Sequence, residues 1–331
     1  TLVTLLTMLI VGKGVQKGIE KSVSWMMPGL VIMLVVLIGF GLFSGGFGAA
    51  VNFLFSFNAG SLSSEGLLAA LGHAFFTLSL ASGAILTYGS YLPKEASIGR
   101  TTVSVAVADT VVALMAGLAI FPVIFANGMN PGQGPGLIFM SLPLAFQAMP
   151  LGTLFGILFF LMLSMAALTS AISMVEATVS WLCDNKGLSR PAAAWGTGIV
   201  LWLISTLAML SFNLGAEWTL ADKTFFDWLD YLTSRWMMPL GGLGMVVLAG
   251  FVLKSDTFRE ELGLSPLPYA LWLAMVRYVS PLGIVVIFID ALGIYQVSFA
   301  AHWPWLLAIL VVMAALGESL SPRLRSALRT G

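Results

Sequence analysis

Apolar runs of bilayer-crossing length recur along this chain, near 25–43, 66–92, 102–126, 151–183, 192–212, 228–253, 268–293 and 303–320. A helix needs about 20 apolar residues, within a range of about 17–25 and more if tilted, to cross the roughly 30 Å hydrocarbon core of a bilayer, and every run is long enough. Lipid offers no partner to backbone N–H and C=O groups, so such runs fold as helices, and the fold class they predict is an all-α polytopic membrane bundle. Composition agrees, with 59% hydrophobic and only 9% charged residues in 331. That balance excludes a soluble domain. The net charge of zero gives no reason to expect a nucleic-acid partner. A single cysteine, Cys183, rules out an internal disulfide framework, and two distant histidines, His73 and His302, leave no zinc or haem spacing.

One run is unlike the others. At the centre of 66–92, in FFTLSLASGAILTYGSY (75–91), Thr77, Ser79, Ser82 and Gly83 gather between Phe76 and the group Thr87, Tyr88, Ser90 and Tyr91. Such a cluster at mid-membrane depth reads in two ways. The helix opens there and presents backbone carbonyls to a ligand, or it continues and packs its small residues against a neighbour, with the hydroxyls bonded back to the preceding turn.

The basic residues give an orientation. Lys13, Lys17, Lys21, Lys94, Arg100, Lys186, Arg190, Lys254, Arg259, Arg323, Arg325 and Arg329 fall in loops of one parity, and Lys223 alone in a loop of the other. Lys and Arg mark the cytoplasmic side, which puts the C-terminus there and a plasma membrane around the spans. Arg235 and Arg277 lie within spans, with no role assigned from sequence. Between the third and fourth runs, 132–149 is apolar but broken by Pro135 and Pro143 and reads as a re-entrant or surface-lying hairpin. Thr1–Gly12 is apolar but too short to span, and reads as the cut end of a helix, so the chain is expected to be a fragment.

An ionisable residue at membrane depth asks for a partner or a role. Asp109 and Glu176 lie inside spans, where they are either buried against polar neighbours or functional; Asp184 and Asp230 lie at span ends, where solvation suffices. In LTSAISMVEA, Ala166, Thr169 and Ser170 stand at i, i+3 and i+4 on one helical face. Two hydroxyls and a carbonyl there are hard oxygen ligands of the kind sodium takes; they are equally ordinary residues for helix packing.

Together these segments resemble the neurotransmitter:sodium symporter family, in particular its bacterial amino-acid transporters. The resemblance is carried by GKGVQKGIEKSVSWMMP, GHAFFTLSLASGAILTYGSY, ADTVVALMAGLAIFP, GPGLIFMSLPLAF, LTSAISMVEATVSWL and FDWLDYLTSRWMMPLGGLG. It implies a single transmembrane domain of the inverted-repeat sodium symporter fold over 1–331. In family terms, 1–12 is the end of the fourth helix, 25–43 the fifth, 66–92 the broken sixth, 102–126 the seventh and 132–149 the outer lid loop. The runs 151–183, 192–212, 228–253, 268–293 and 303–320 are then the eighth to twelfth helices. Helices one to three and most of the fourth are expected to be absent, which makes transport by this piece alone unexpected.

The resemblance also implies roles. Phe76, Thr77, Ser79, Ser82, Ser170 and Met174 fall at the substrate pocket, with Ser82 in place of a usually large apolar residue. Thr77 and Asp109 fall at a first sodium site, and Ala166, Thr169 and Ser170 at a second. Asp230 matches the acid of the outer gate, and Asp184, Tyr91 and Ser90 the inner gate. Glu176 matches a buried polar position. Asp109, with Ala113 one turn on offering no hydroxyl to an anion, implies chloride independence. The expected function is sodium-coupled symport of an amino acid or related small amine, by alternating access and without covalent chemistry. The alternative is a non-transporting membrane scaffold that keeps the fold.

Overall fold

A computed structural model describes residues 1–56, 63–93, 95–131, 136–253 and 255–291. The run 303–320, His302, Lys94, Lys254, the three C-terminal arginines and the first four residues of the expected lid, 132–135, lie outside the described residues.

The helices in chain order are α1 Leu2–Gly12, α2 Lys21–Leu42, α3 Phe47–Phe55, α4 Ser64–Thr77, α5 Ala84–Ser90, α6 Ile98–Ala126 and α7 Leu142–Gln147. They continue with α8 Gly152–Lys186, α9 Arg190–Leu210, α10 Phe225–Leu232, α11 Met238–Val247, α12 Ser255–Leu262, α13 Pro266–Ala274 and α14 Ser280–Ala291. Wider π-helical turns join several of them: Val15–Glu20 before α2, Leu137–Ser141 before α7, Thr233–Met237 and Leu248–Val252 on either side of α11, and Met275–Val279 between α13 and α14. Among the described residues, the only extended pairing is one isolated bridge, Leu220 with Lys223.

Among the described residues, six helical stretches are long and apolar enough to cross a membrane: Val15–Leu42, Ile98–Ala126, Gly152–Lys186, Arg190–Leu210, Phe225–Val252 and Pro266–Ile289. The run 66–92 is not among them because its helix is interrupted. The proline-broken stretch supplies only Leu137–Gln147, too short to span. The chain divides into two compact units: Thr1–Asn58 with Val105–Leu203, and Ala59–Ser104 with Ile204–Gly331.

In the first unit, Leu30, Leu34 and Leu37 recur at helical spacing on one side of α2. They pack with Ala119, Val123 and Ile124 of α6, Leu142, Ala145 and Phe146 of α7, and Phe159 and Met162 of α8. Phe40 stacks on Phe155 with ring centroids 3.8 Å apart. The other side of α2 is just as apolar but faces outward, with Ile32 63% and Trp25 65% exposed. A water-soluble helix puts charge there; lipid is the solvent that suits this face. Pro122 has no N–H to continue the α6 ladder. Beside it the end of α2 comes close, and the Ser44 hydroxyl donates to the Gly41 carbonyl at 2.7 Å and to the Pro122 carbonyl at 3.3 Å.

In the second unit, α11 packs chiefly on α14, and α14 also meets α4. The helix Phe225–Val252 opens on a reciprocal cap in which the Thr224 hydroxyl accepts from the Asp227 N–H and the Asp227 carboxylate accepts from the Thr224 N–H. This satisfies two end donors that a membrane interface leaves without helical partners.

Candidate functional site

The second unit holds the break. Helix α4 stops at Thr77, and the Leu78 N–H still reaches back to the Ala74 carbonyl at 3.3 Å. Ser79 then turns left-handed, φ 51°, a conformation that costs a residue with a side chain roughly 1–2 kcal/mol. The Ser79 carbonyl accepts from both the Ser82 N–H, 3.3 Å, and the Ser82 hydroxyl, 3.0 Å. Gly83, φ 78°, restarts the chain as α5 in a region only glycine enters freely. The Thr87 hydroxyl donates to the Gly83 carbonyl at 3.0 Å. Among the described residues, the carbonyls of Leu78, Leu80 and Ala81 accept no hydrogen bond. Lipid cannot leave such groups unsatisfied at no cost, so they are suited to face a polar ligand or cavity.

Two glycines of α11 make room for this segment. A methyl built on Gly242 meets the Phe75 ring at 2.1 Å, and one built on Gly241 meets the Ala81 carbonyl at 3.0 Å. The ring of Phe75 thus occupies the volume that any other residue at position 242 would fill. Phe76, on the next position of α4, is 57% exposed. Beyond the break, the Ser90 hydroxyl donates to the Thr87 carbonyl at 2.7 Å, and the Tyr88 and Tyr91 rings meet edge to face at 6.2 Å.

The first unit holds the oxygen face of α8. The Thr169 hydroxyl donates to the Ala166 carbonyl at 2.8 Å, and the Ser173 hydroxyl to the Thr169 carbonyl at 3.1 Å. Two oxygens expected to share an ion are therefore already adjacent and bonded to each other. Ser170 and Met174 lie exposed on the same helix, Met174 at 55%. Asp109 sits half-buried on α6. Asp184 is exposed at the end of α8 and accepts from the Ser180 hydroxyl at 3.3 Å.

Glu176 is fully buried, and its carboxylate pairs with the guanidinium of Arg190 at the start of α9. The Arg190 Nε donates in addition to the Val11 carbonyl at 3.1 Å, so one side chain ties α1, α8 and α9 together. Counting basic residues by loop places Arg190 among solvated cations. What that count misses is its position four residues past the end of α8, from which the side chain folds back along the helix to Glu176.

At the opening of the Phe225–Val252 helix, Asp230 is exposed and accepts from the Ser234 hydroxyl at 3.1 Å. Lys223 and Arg235 both stand over the Tyr231 ring, each 5.5 Å from its centroid. Arg235, which sequence leaves without a role, is held by cation–π attraction. Arg277 gains one too: its Nε donates to the Gly250 carbonyl at 2.7 Å, and its guanidinium lies 5.8 Å from the Phe251 ring. The Tyr231–Arg235 contact follows i, i+4 spacing along a helix, whereas the Arg277 contacts have no sequence signal, because they cross from one helix to another.

Known proteins share this arrangement of segments. An uncharacterized sodium-dependent transporter of Bacillus subtilis is 38% identical over 293 residues, 87% of this chain and 65% of that protein. One from Haemophilus influenzae is 34% identical, over 86% of this chain and 63% of that protein. A crystal structure of MhsT in complex with L-phenylalanine matches with a TM-score of 0.78 at 38% identity, covering 88% of this chain and 66% of that one. The chain therefore spans a little under two thirds of the length of these relatives. The family model described as the sodium:neurotransmitter symporter family matches residues 1–324. The chain belongs to that family, one of membrane transporters and not of enzymes.

Proposed function

We propose that the protein is part of a sodium-coupled symporter for an amino acid or a related small amine, working by alternating access and without a chloride requirement. The observation that carries this reading is the interruption between Thr77 and Ala84, which leaves the Leu78, Leu80 and Ala81 carbonyls without hydrogen-bond donors among the described residues. A substrate ammonium group donates to carbonyls of this kind, and Phe76, Thr77, Ser79 and Ser82 surround the same segment in sequence. Ser170 and Met174 are the pocket residues proposed on α8. For sodium, a transported ion, the proposed ligands are Thr77 and Asp109 at one site and Ala166, Thr169 and Ser170 at the other. The adjacency of the Thr169 hydroxyl and the Ala166 carbonyl, 2.8 Å, supports the second set. Asp230 and the group Asp184, Tyr91 and Ser90 are proposed as outer and inner gate residues, with the C-terminus cytoplasmic.

Coupling then follows from charge. Moving each sodium ion down a membrane potential contributes about 2.3 kcal/mol per 100 mV, and a substrate bound only alongside sodium moves with it.

L-phenylalanine, bound in the related MhsT structure, is the first substrate to try. Uptake into vesicles carrying the complete gene product is expected to need a sodium gradient and to be abolished in Thr169→Val with Ser170→Ala. Uptake that ignores sodium in the wild type would sink the symport reading; no uptake of any amino acid, with the protein folded, would favour the scaffold.

A further inference from the structure

We propose that the second unit binds an anionic phospholipid, its headgroup on Arg277 and an acyl chain in a groove between α4, α11 and the α13–α14 helix. This goes beyond the transport reading. The groove has a volume of about 740 Å³ and is lined almost wholly by apolar side chains, among them Leu71, Phe75, Val246, Trp272, Val276 and Ile287. Its wall on the α13–α14 helix runs from Trp272 to Ile287. Fifteen residues of helix rise about 22 Å. That exceeds one leaflet of a hydrocarbon core about 30 Å thick, so the groove has room along its length for an acyl chain.

One end of the groove carries charge. The stem of Arg277 and the side chain of Val276 both lie against Gly250, next to the lining residue Ala249 and three residues before the connection that begins at Leu253. Arg277 is half-buried, within a stretch long and apolar enough to cross a membrane. Its Nε is occupied by the Gly250 carbonyl, and among the described residues no carboxylate pairs with it. The two Nη groups are left as a planar pair of donors suited to phosphate oxygens. At the same end Trp272 meets the rings of Phe258 and Tyr269, at 5.4 and 5.8 Å. Trp and Tyr collect at the headgroup level. Along this helix the aromatic collar of Tyr269 and Trp272 comes first, the uncompensated guanidinium of Arg277 five residues on, and the apolar wall to Ile287 beyond it, an order that suits a phospholipid whose anionic head sits at that end.

The test is lipid retention by the detergent-purified protein, read by native mass spectrometry after adding phosphatidylglycerol or phosphatidylcholine of matched chains. An arginine near an anionic headgroup contributes about 1 kcal/mol, so phosphatidylglycerol is expected to be retained about fivefold over phosphatidylcholine. Arg277→Gln should bring that ratio close to one, and Arg277→Lys should keep most of it. Gly283, another groove residue, has open space where a side chain would start, so Gly283→Leu should fill the groove and lose both lipids. Each variant is checked for unchanged thermal unfolding in lipid-free detergent, and excess inorganic phosphate should not displace the lipid. Equal retention of the two lipids by the wild type, an unchanged ratio in Arg277→Gln, or retention unaffected by Gly283→Leu overturns the proposal. The readout involves neither sodium nor substrate, so it stands or falls apart from the transport assay.

Discussion

Glu176 is a carboxylate with no access to solvent, held by a guanidinium that is a quarter exposed. Removing the cation strands the anion, so Arg190→Met is expected to destabilise the protein by roughly 3 kcal/mol, the lower end for a broken buried pair because water still reaches Arg190. Glu176→Gln in the same background should recover most of that loss. Thermal unfolding of the purified single and double variants measures both, and a double variant no better than Arg190→Met would show that the pair is not the cause. Thr169 presents the opposite case. Its hydroxyl bonds only its own helix in the structure, so Thr169→Val should change stability little. A tenfold or greater rise in the sodium concentration needed for half-maximal uptake is the expected effect on transport, measured by sodium titration of vesicle uptake. At this scale sequence tells which residues are unusual, Asp109, Glu176, Thr169 and Ser170 among them, because polar atoms are conspicuous against an apolar background. It does not tell what they touch. The partner of Glu176 lies across a turn, at Arg190, and nothing in the spacing distinguishes that arginine from a solvated one.

The interrupted helix is legible in sequence as a choice between two readings, and in the structure the helix is broken between Thr77 and Ala84. Ser82 and Thr87 do bond backward, but to Ser79 and Gly83, whose left-handed angles already break the ladder. The hydroxyls thus fasten the break and do not mend a helix. Two substitutions separate the parts of this element. Gly83→Ala puts a side chain on a left-handed residue at a cost of roughly 1–2 kcal/mol. Gly242→Val forces the Phe75 ring out of its place and should cost a similar 1–3 kcal/mol through overpacking. Displacing Phe75 moves the end of α4 next to the proposed substrate residues, so Gly242→Val is expected to lower uptake more than Gly83→Ala at equal folded yield. Uptake normalised to protein that elutes as a single species by size exclusion measures this, and equal losses would argue that α11 does not position the break. Gly242 has no signal of its own in sequence, since a glycine in a membrane helix is commonplace.

For the molecule as a whole, the eight apolar runs and the family resemblance make the helical class and the family legible in the sequence, because span length is dictated by bilayer thickness and little else. Sequence did less well with helix continuity. Chloride independence is a property of this scale, since it depends on the summed charge around transported sodium; replacing chloride with gluconate is expected to leave uptake unchanged, and its loss would contradict the role given to Asp109. The π-helical turns are the feature hardest to foresee, since apolar periodicity carries no mark of a turn one residue too wide. Each of these turns stores a spare residue. Deleting one amino acid from an α-helix rotates everything beyond it by about 100°, whereas a deletion inside Leu248–Val252 can be absorbed by narrowing the turn to ordinary α geometry. Single-residue shortening should accordingly be tolerated there and not within Met238–Val247, as scored by membrane yield of a fluorescent fusion, so that these turns are where the length of a span is free to drift while its outward and inward faces keep their bearings.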